Sequence, residues 1–176
     1  MFLEALSPEA YKPYGDVIMA APRGETGAAA NQGTAGRFDH LATLEDHRPG
    51  RARLNVSVFR CAPRPVGDFS VDLLEKHPAS TQMFVPMNAT RFLVVVALGG
   101  AHPDLGTLRA FLASGLQGIT YRPGVWHHPL LALDKPTDFT CLVHEDGTKD
   151  DCVVVELPQA ARRVVAIEPA AGSVVP

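Results

Sequence analysis

Turns cut this chain before any stretch can run long. Fifteen glycines and fifteen prolines are spread through 176 residues. Proline fixes φ and glycine admits φ > 0, so such joints divide a chain into short extended pieces. The pieces between them have strand character. Residues 51–61, 91–98, 138–144 and 152–157 are the clearest; 16–20, 37–44, 69–74, 82–86, 120–122, 125–128 and 129–133 are weaker. In 51–61, Leu54, Val56, Val58 and Cys61 read as core-facing, with a break near Arg60. Residues 92–98, FLVVVAL, are apolar on both faces, as a central strand is. Two helices interrupt the series. One covers 7–11, capped by Ser7 with Pro8 in its first turn. The other spans 104–114, with Asp104 as N-cap, Leu105, Leu108, Phe111 and Leu112 as an apolar stripe, and Gly115 as its stop. Residues 22–36 lack periodicity and read as a loop. The tail from Ala160 is apolar but rich in Ala and Pro, suited to disorder or to packing on a partner. No repeat or boundary divides residues 1–176, so one domain is expected. The pattern predicts an all-β barrel or jelly roll with one or two short helices.

Composition narrows the function classes. A chain of this length, 46% hydrophobic, can bury a sizeable core. A net charge of −3 gives no electrostatic footprint for nucleic acid or an anionic membrane. The most apolar run, 92–98, is far shorter than a bilayer span. The start, MFLEALSPEAY, lacks the basic residues and long apolar core of a secretory signal. Cys61, Cys141 and Cys152 are an odd number without CxxC spacing. That fits reduced thiols in a cytoplasm rather than a disulfide scaffold or a zinc finger. Cys141, inside DFTCLVH, reads as a buried, inert thiol.

Two stretches carry the candidate chemistry. Residues 121–133, YRPGVWHHPLLAL, hold the only Trp and the adjacent His127 and His128 after a tight turn at 122–124. Neighbouring strand residues point to opposite faces, so only one of the two histidines can face inward. Residues 74–87, LEKHPASTQMFVPM, place Glu75 and His77 two apart on one face, with Gln82 after a turn. These slots resemble the first cupin motif, and Gly118, Gly124 and His127 fit the second. Imidazole and carboxylate oxygen accept a divalent metal, and an amide oxygen does so more weakly. Glu75, His77, Gln82 and His127 are therefore the expected metal or polar cluster. His128 or Tyr121 is placed to supply a proton. Arg60, between apolar Phe59 and Cys61, and Arg37 are the arginines suited to grip a substrate carboxylate.

The runs VVVALGGAHPDLGTLRAFLASGLQGITYRPGVWHHPLLAL and EKHPASTQMFVPM resemble the ureidoglycolate lyase family, over nearly the whole chain. The resemblance implies a cupin-like double-stranded β-helix that cleaves ureidoglycolate to glyoxylate and urea at the end of allantoin breakdown. It also implies nickel as the metal, a homodimer, and a substrate-binding role for Asn31 in the Asn31-Gln32-Gly33 segment. Val153 to Val155, Val164 and Val165 are apolar enough to join such a dimer. Gln82 stands where a common cupin has glutamate, and Glu75 where it has histidine, which leaves open direct substrate binding by these residues. Rival classes are a small-molecule- or metal-binding cupin without catalysis, and another cupin enzyme such as a sugar epimerase. An iron dioxygenase would have a His-rich ligand set, which this chain lacks. No organic cofactor is expected.

Overall fold

The computed structural model describes residues 1–21 and 24–170. Strand β1 (Leu3–Ala5) is followed by helix α1 (Pro8–Tyr11), β2 (Val17–Ile18) and a hairpin of β3 (Ala28–Ala30) and β4 (Ala35–Arg37). Then come β5 (Arg53–Cys61), β6 (Gly67–Val71), β7 (Leu73–Lys76), β8 (Gln82–Pro86) and β9 (Arg91–Ala97). The series continues with β10 (Arg109–Ser114), β11 (Gly118–Tyr121), β12 (Trp126–His127) and β13 (Leu131–Ala132). It closes with β14 (Thr137–Glu145), β15 (Val153–Glu156) and β16 (Arg163–Ile167).

Two sheets face each other. The larger runs β1-β10-β9-β12-β7-β15, with β13 also paired to β9; the smaller runs β2-β11-β8-β14-β5. Phe92, Val94 and Val96 of β9 meet Phe84, Ile119, Phe139 and Cys141 of the smaller sheet in the central core. The alternate residues Leu93 and Val95 pack outward with Trp126, under the two-stranded β6–β16 sheet that carries Phe69, Val71 and Val165. Strand β9 is thus buried on both faces, as its unbroken apolar run requires. Helix α1 forms as expected, with the Ser7 hydroxyl accepting from the Ala10 main-chain N–H at 3.2 Å.

Five expectations change. Residues 104–114 are not a helix. Asp104 does accept from the Gly106 N–H at 2.9 Å, but it caps only a 3₁₀ turn, Leu105–Thr107, before β10 begins. The same apolar residues satisfy period two, and β10 sits between β1 and β9, where pairing on both sides overrides helix preference. Gly115 is needed for a close approach, since a Cβ there would stand 1.9 Å from the Ala89 carbonyl oxygen. The row Leu54, Val56 and Val58 faces out, 46%, 62% and 59% exposed, because β5 is the edge of its sheet and turns Phe59 and Cys61 inward instead. Finally, the expected loop at 22–36 contains the β3–β4 hairpin, the expected strand at 37–44 is irregular beyond Arg37, and the tail supplies β16. Residues 22, 23 and 171–176 lie outside the described part. Among the described residues, no helix is long and apolar enough to cross a membrane.

Candidate active site

The two sheets bring the predicted cluster together. On the larger sheet, His127 of β12 pairs directly opposite Glu75 of β7, and His77 follows just past the end of β7. On the smaller sheet, Gln82 of β8 pairs with Tyr121 of β11. A cavity of about 380 Å³ opens between them, lined by Glu75, His77 and Gln82 with Phe59, Phe84 and Leu130 as walls. Glu75, His77 and His127 each present a ligand atom within 4.8 Å of the others.

Hydrogen bonds decide what those atoms offer. The His77 Nδ1 lies 2.9 Å from the Asp151 carbonyl, and the His127 Nδ1 lies 3.1 Å from the Val125 carbonyl. A carbonyl only accepts, so each Nδ1 carries the proton and each Nε2 keeps its lone pair. Both Nε2 atoms, and the Gln82 Oε1, are buried with no hydrogen-bond partner. The His127 Nε2 stands 3.5 Å from Glu75 Oε1. Two buried imidazole acceptors and a carboxylate converging at one point, with the buried Gln82 Oε1 on the wall of the same cavity, leave a costly gap unless a cation or donor fills it. The donor set fits a divalent metal.

Electrostatics agree. Burial lowers the pKa of His77, helped by His127, so the imidazole stays neutral. Burial pushes the Glu75 carboxyl up, but positive charge at the neighbouring imidazoles, His127 foremost, outweighs it and holds the carboxyl below its usual range; where those rings are neutral, a bound cation would supply that charge. Tyr121 stacks flat on His127, ring centroids 3.8 Å apart, and burial pushes its hydroxyl well above the usual tyrosine value. It therefore keeps its proton.

The other candidates lie elsewhere. His128 points to the opposite face, as alternation requires, donating from Nδ1 to the Pro129 carbonyl at 2.7 Å with its ring edge-on to Phe69. Arg60 shares β5 with the inward Phe59 and Cys61 but points outward, where it grips Asp138 through two hydrogen bonds of 2.8 and 2.9 Å. Arg37 is exposed and pairs with Asp39 at 2.8 Å. Asn31 sits exposed at the tip of the β3–β4 hairpin with φ of 50°. The structure does not bring these four to the cavity, and among its described lining residues none is Lys or Arg. Sequence reasoning missed two lining residues, Glu145 and Cys152. The Cys152 Sγ lies 3.9 Å from Glu75 Oε2, and burial and that carboxylate push its thiol up to about 11. It is a protonated thiol, not a nucleophile. Glu145 stands at the end of β14, two residues past buried Val143, so strand alternation was its one available signal.

A "Ureidoglycolate lyase" from Burkholderia cepacia is 44% identical over 96% of this chain and 91% of its own. One from Escherichia coli O1:K1 is 41% identical over 88% of this chain and 92% of its own. Among solved structures, a dTDP-4-dehydrorhamnose 3,5-epimerase from Elizabethkingia anophelis gives a TM-score of 0.40 at 12% identity, covering 62% of this chain and 64% of that one. Residues 1–164 match the profile described as ureidoglycolate lyase. The chain belongs to the ureidoglycolate lyase family.

Proposed function

We propose that this protein, as one domain of residues 1–176, is a ureidoglycolate lyase releasing glyoxylate and urea in allantoin and purine breakdown. The observation that carries the reading is the meeting of the His77 and His127 lone pairs with Glu75 at one buried point. It is supported by relatives that bear the lyase name over most of their length.

The reaction asks little of the site. Ureidoglycolate carries a hydroxyl, a carboxylate and a ureido nitrogen on one carbon. Elimination moves one proton from the hydroxyl to the leaving nitrogen as the C–N bond breaks and the C=O bond forms, with no attacking water. Glu75, held ionised, takes the hydroxyl proton and can return it to the nitrogen. The Gln82 amide binds the substrate's polar groups, and Tyr121 holds the His127 ring in place from behind. Phe59, Phe84 and Leu130 keep the cavity wall apolar. Glu75, His77 and His127, with the Gln82 oxygen, would hold a divalent metal, for which nickel is the candidate. When bound, such a metal would supply the positive charge that a site without Lys or Arg needs, and would lower the hydroxyl pKa. The test is to incubate purified, untagged protein with ureidoglycolate and measure products, with elemental analysis of the same sample. Equal amounts of glyoxylate and urea, no ammonia, and about one metal per chain are expected. Ammonia and carbon dioxide instead of urea would replace the lyase by a hydrolase.

The same reading includes a cytoplasmic homodimer. Free Cys61, Cys141 and Cys152 suit a reducing compartment. The outward row of Leu54, Val56 and Val58 on the edge strand β5 is an apolar face that a second chain packed against it would cover. Of the valines near the chain end, Val154 and Val164 are exposed, whereas Val165 is buried in the chain's own core. Light scattering at working concentration should give the mass of two chains; a single-chain mass would end this part of the reading.

A further inference from the structure

His77 is held from behind by a carbonyl that is itself held in place. The Asp151 carbonyl takes the His77 Nδ1 proton, and so leaves Nε2 free toward the cavity. Asp151 closes the tight turn of residues 146–151. Its carboxylate accepts from the main-chain N–H groups of Asp146 at 3.1 Å and Gly147 at 2.7 Å. The Asp146 carboxylate accepts from the N–H and hydroxyl of Thr148 at 3.1 and 2.6 Å. These two carboxylates, only 5% and 12% exposed, share one guanidinium. Arg48 Nη2 lies 2.6 Å from Asp151 Oδ1, and Arg48 Nη1 lies 3.1 Å from Asp146 Oδ2. The segment that carries Arg48 is in turn tied to the loop after His77, since the His47 N–H donates to the Ala79 carbonyl at 2.8 Å. The Glu45 N–H donates to the Thr81 hydroxyl beside it, at 3.0 Å. None of Arg48, Asp146 and Asp151 lines the cavity.

We infer that Arg48 is a positioning residue for the site. By joining Asp146 and Asp151 it holds the 146–151 turn, and the turn's carbonyl keeps His77 as the Nδ1–H tautomer with Nε2 available to a metal. Without Arg48, the two nearly buried carboxylates keep their neutral donors. Among the described residues they keep only one guanidinium, that of Arg51, whose side chain is 62% exposed, at 2.7 Å from Asp146. Their repulsion opens the turn. The imidazole then loses its fixed acceptor, and the tautomer that protonates Nε2 closes the ligand position. Partners that orient metal-binding histidines in this way are worth about 10–100-fold in metal affinity. The inference rests on the reading of His77 as a metal ligand.

Arg48→Met keeps the stem and removes the charge. The imidazole nitrogen resonances of His77, followed by NMR on the protein as purified and after chelation, should move from one fixed tautomer toward an average. Affinity for zinc(II) should fall by about 10–100-fold, and kcat should fall more than KM rises. Arg91→Met is the control, since Arg91 holds Asp134 in an ion pair of similar burial away from the cavity. It should lower thermal stability and leave the nitrogen resonances and zinc affinity as in the parent. If Arg48→Met does not fold, Arg48→Lys carries the comparison and should weaken zinc binding by at least about threefold. Parent-like nitrogen resonances and zinc affinity in a folded Arg48 variant would overturn the inference, as would an equal effect of Arg91→Met. A parent protein that binds no zinc would instead remove the metal reading, and the tautomer measurement would still decide the role of Arg48.

Discussion

Replacing His127 with alanine is expected to lower ureidoglycolate turnover by about 100-fold or more while the far-UV CD spectrum stays that of the parent, the loss typical of a missing ligand or acid–base group. His127 is buried between the rings of Tyr121 and His77, and its Nε2 is one of the unpartnered acceptors of the cavity. The strand around it is fixed by pairing with Glu75 and Val96, which the substitution leaves intact. His77→Ala should cost a similar factor. Turnover close to the parent in both variants would remove the site assignment. The acid limb of the pH profile is a second check. His77 and Glu75 both titrate below their ordinary values, so a neutral imidazole and a carboxylate persist through neutral pH. A depressed histidine stabilises the fold fully above its unfolded pKa of about 6.5, and that share is lost as pH falls through the folded value. Activity and stability should therefore both decline on the acid side and not between pH 7 and 8.

The parts of this site that were legible in the sequence are those set by local geometry. A period of two placed Glu75 and His77 on one face, and it separated His127 from His128. The structure puts His127 against Glu75 and His77 and His128 edge-on to Phe69. The same rule misleads for Arg60: with Val56 and Val58 read as core-facing, Arg60 is expected to be partly buried, whereas the strand turns Phe59 and Cys61 to the cavity and Arg60 outward. What the pattern alone does not say is which face of an edge strand meets the core. Leu54, Val56 and Val58 alternate as a buried row does, yet they lie on the outside. The strand at Arg109–Ser114 was hidden for a related reason. Leu108, Phe111 and Leu112 fit a helical stripe, and only the pairing with β1 and β9 selects the extended form. Arg48 and Asp151, 103 positions apart, share no local signal at all.

Trp126→Ala should be among the most destabilising single changes, and it shows how far the site depends on packing beneath it. Trp126 is fully buried on β12, one position before His127 and on the opposite face. Its indole N–H donates to the Gly100 carbonyl at 3.3 Å, and the Lys76 ammonium lies 4.4 Å from its ring centroid. The ring lies in the core between β9 and the β6–β16 strand pair, with Leu93, Val95 and Val165. Truncation removes that packing and opens a cavity in the core, while the exposed Gly100 carbonyl keeps the Lys76 ammonium as a donor at 2.6 Å. Losses of this kind cost about 3–5 kcal/mol, against a total stability of about 5–15 kcal/mol for a typical domain. Because β12 is two residues long, movement at Trp126 passes directly to His127. Urea unfolding followed by far-UV CD should show the full loss, and the zinc(II) affinity of the folded fraction should fall with it. Trp126→Phe, which keeps most of the ring area and loses only the N–H donor, should recover more than half of the difference in both measurements. A loss below about 1 kcal/mol in Trp126→Ala would mean that the core beneath the site repacks freely, contrary to the close packing expected of protein interiors.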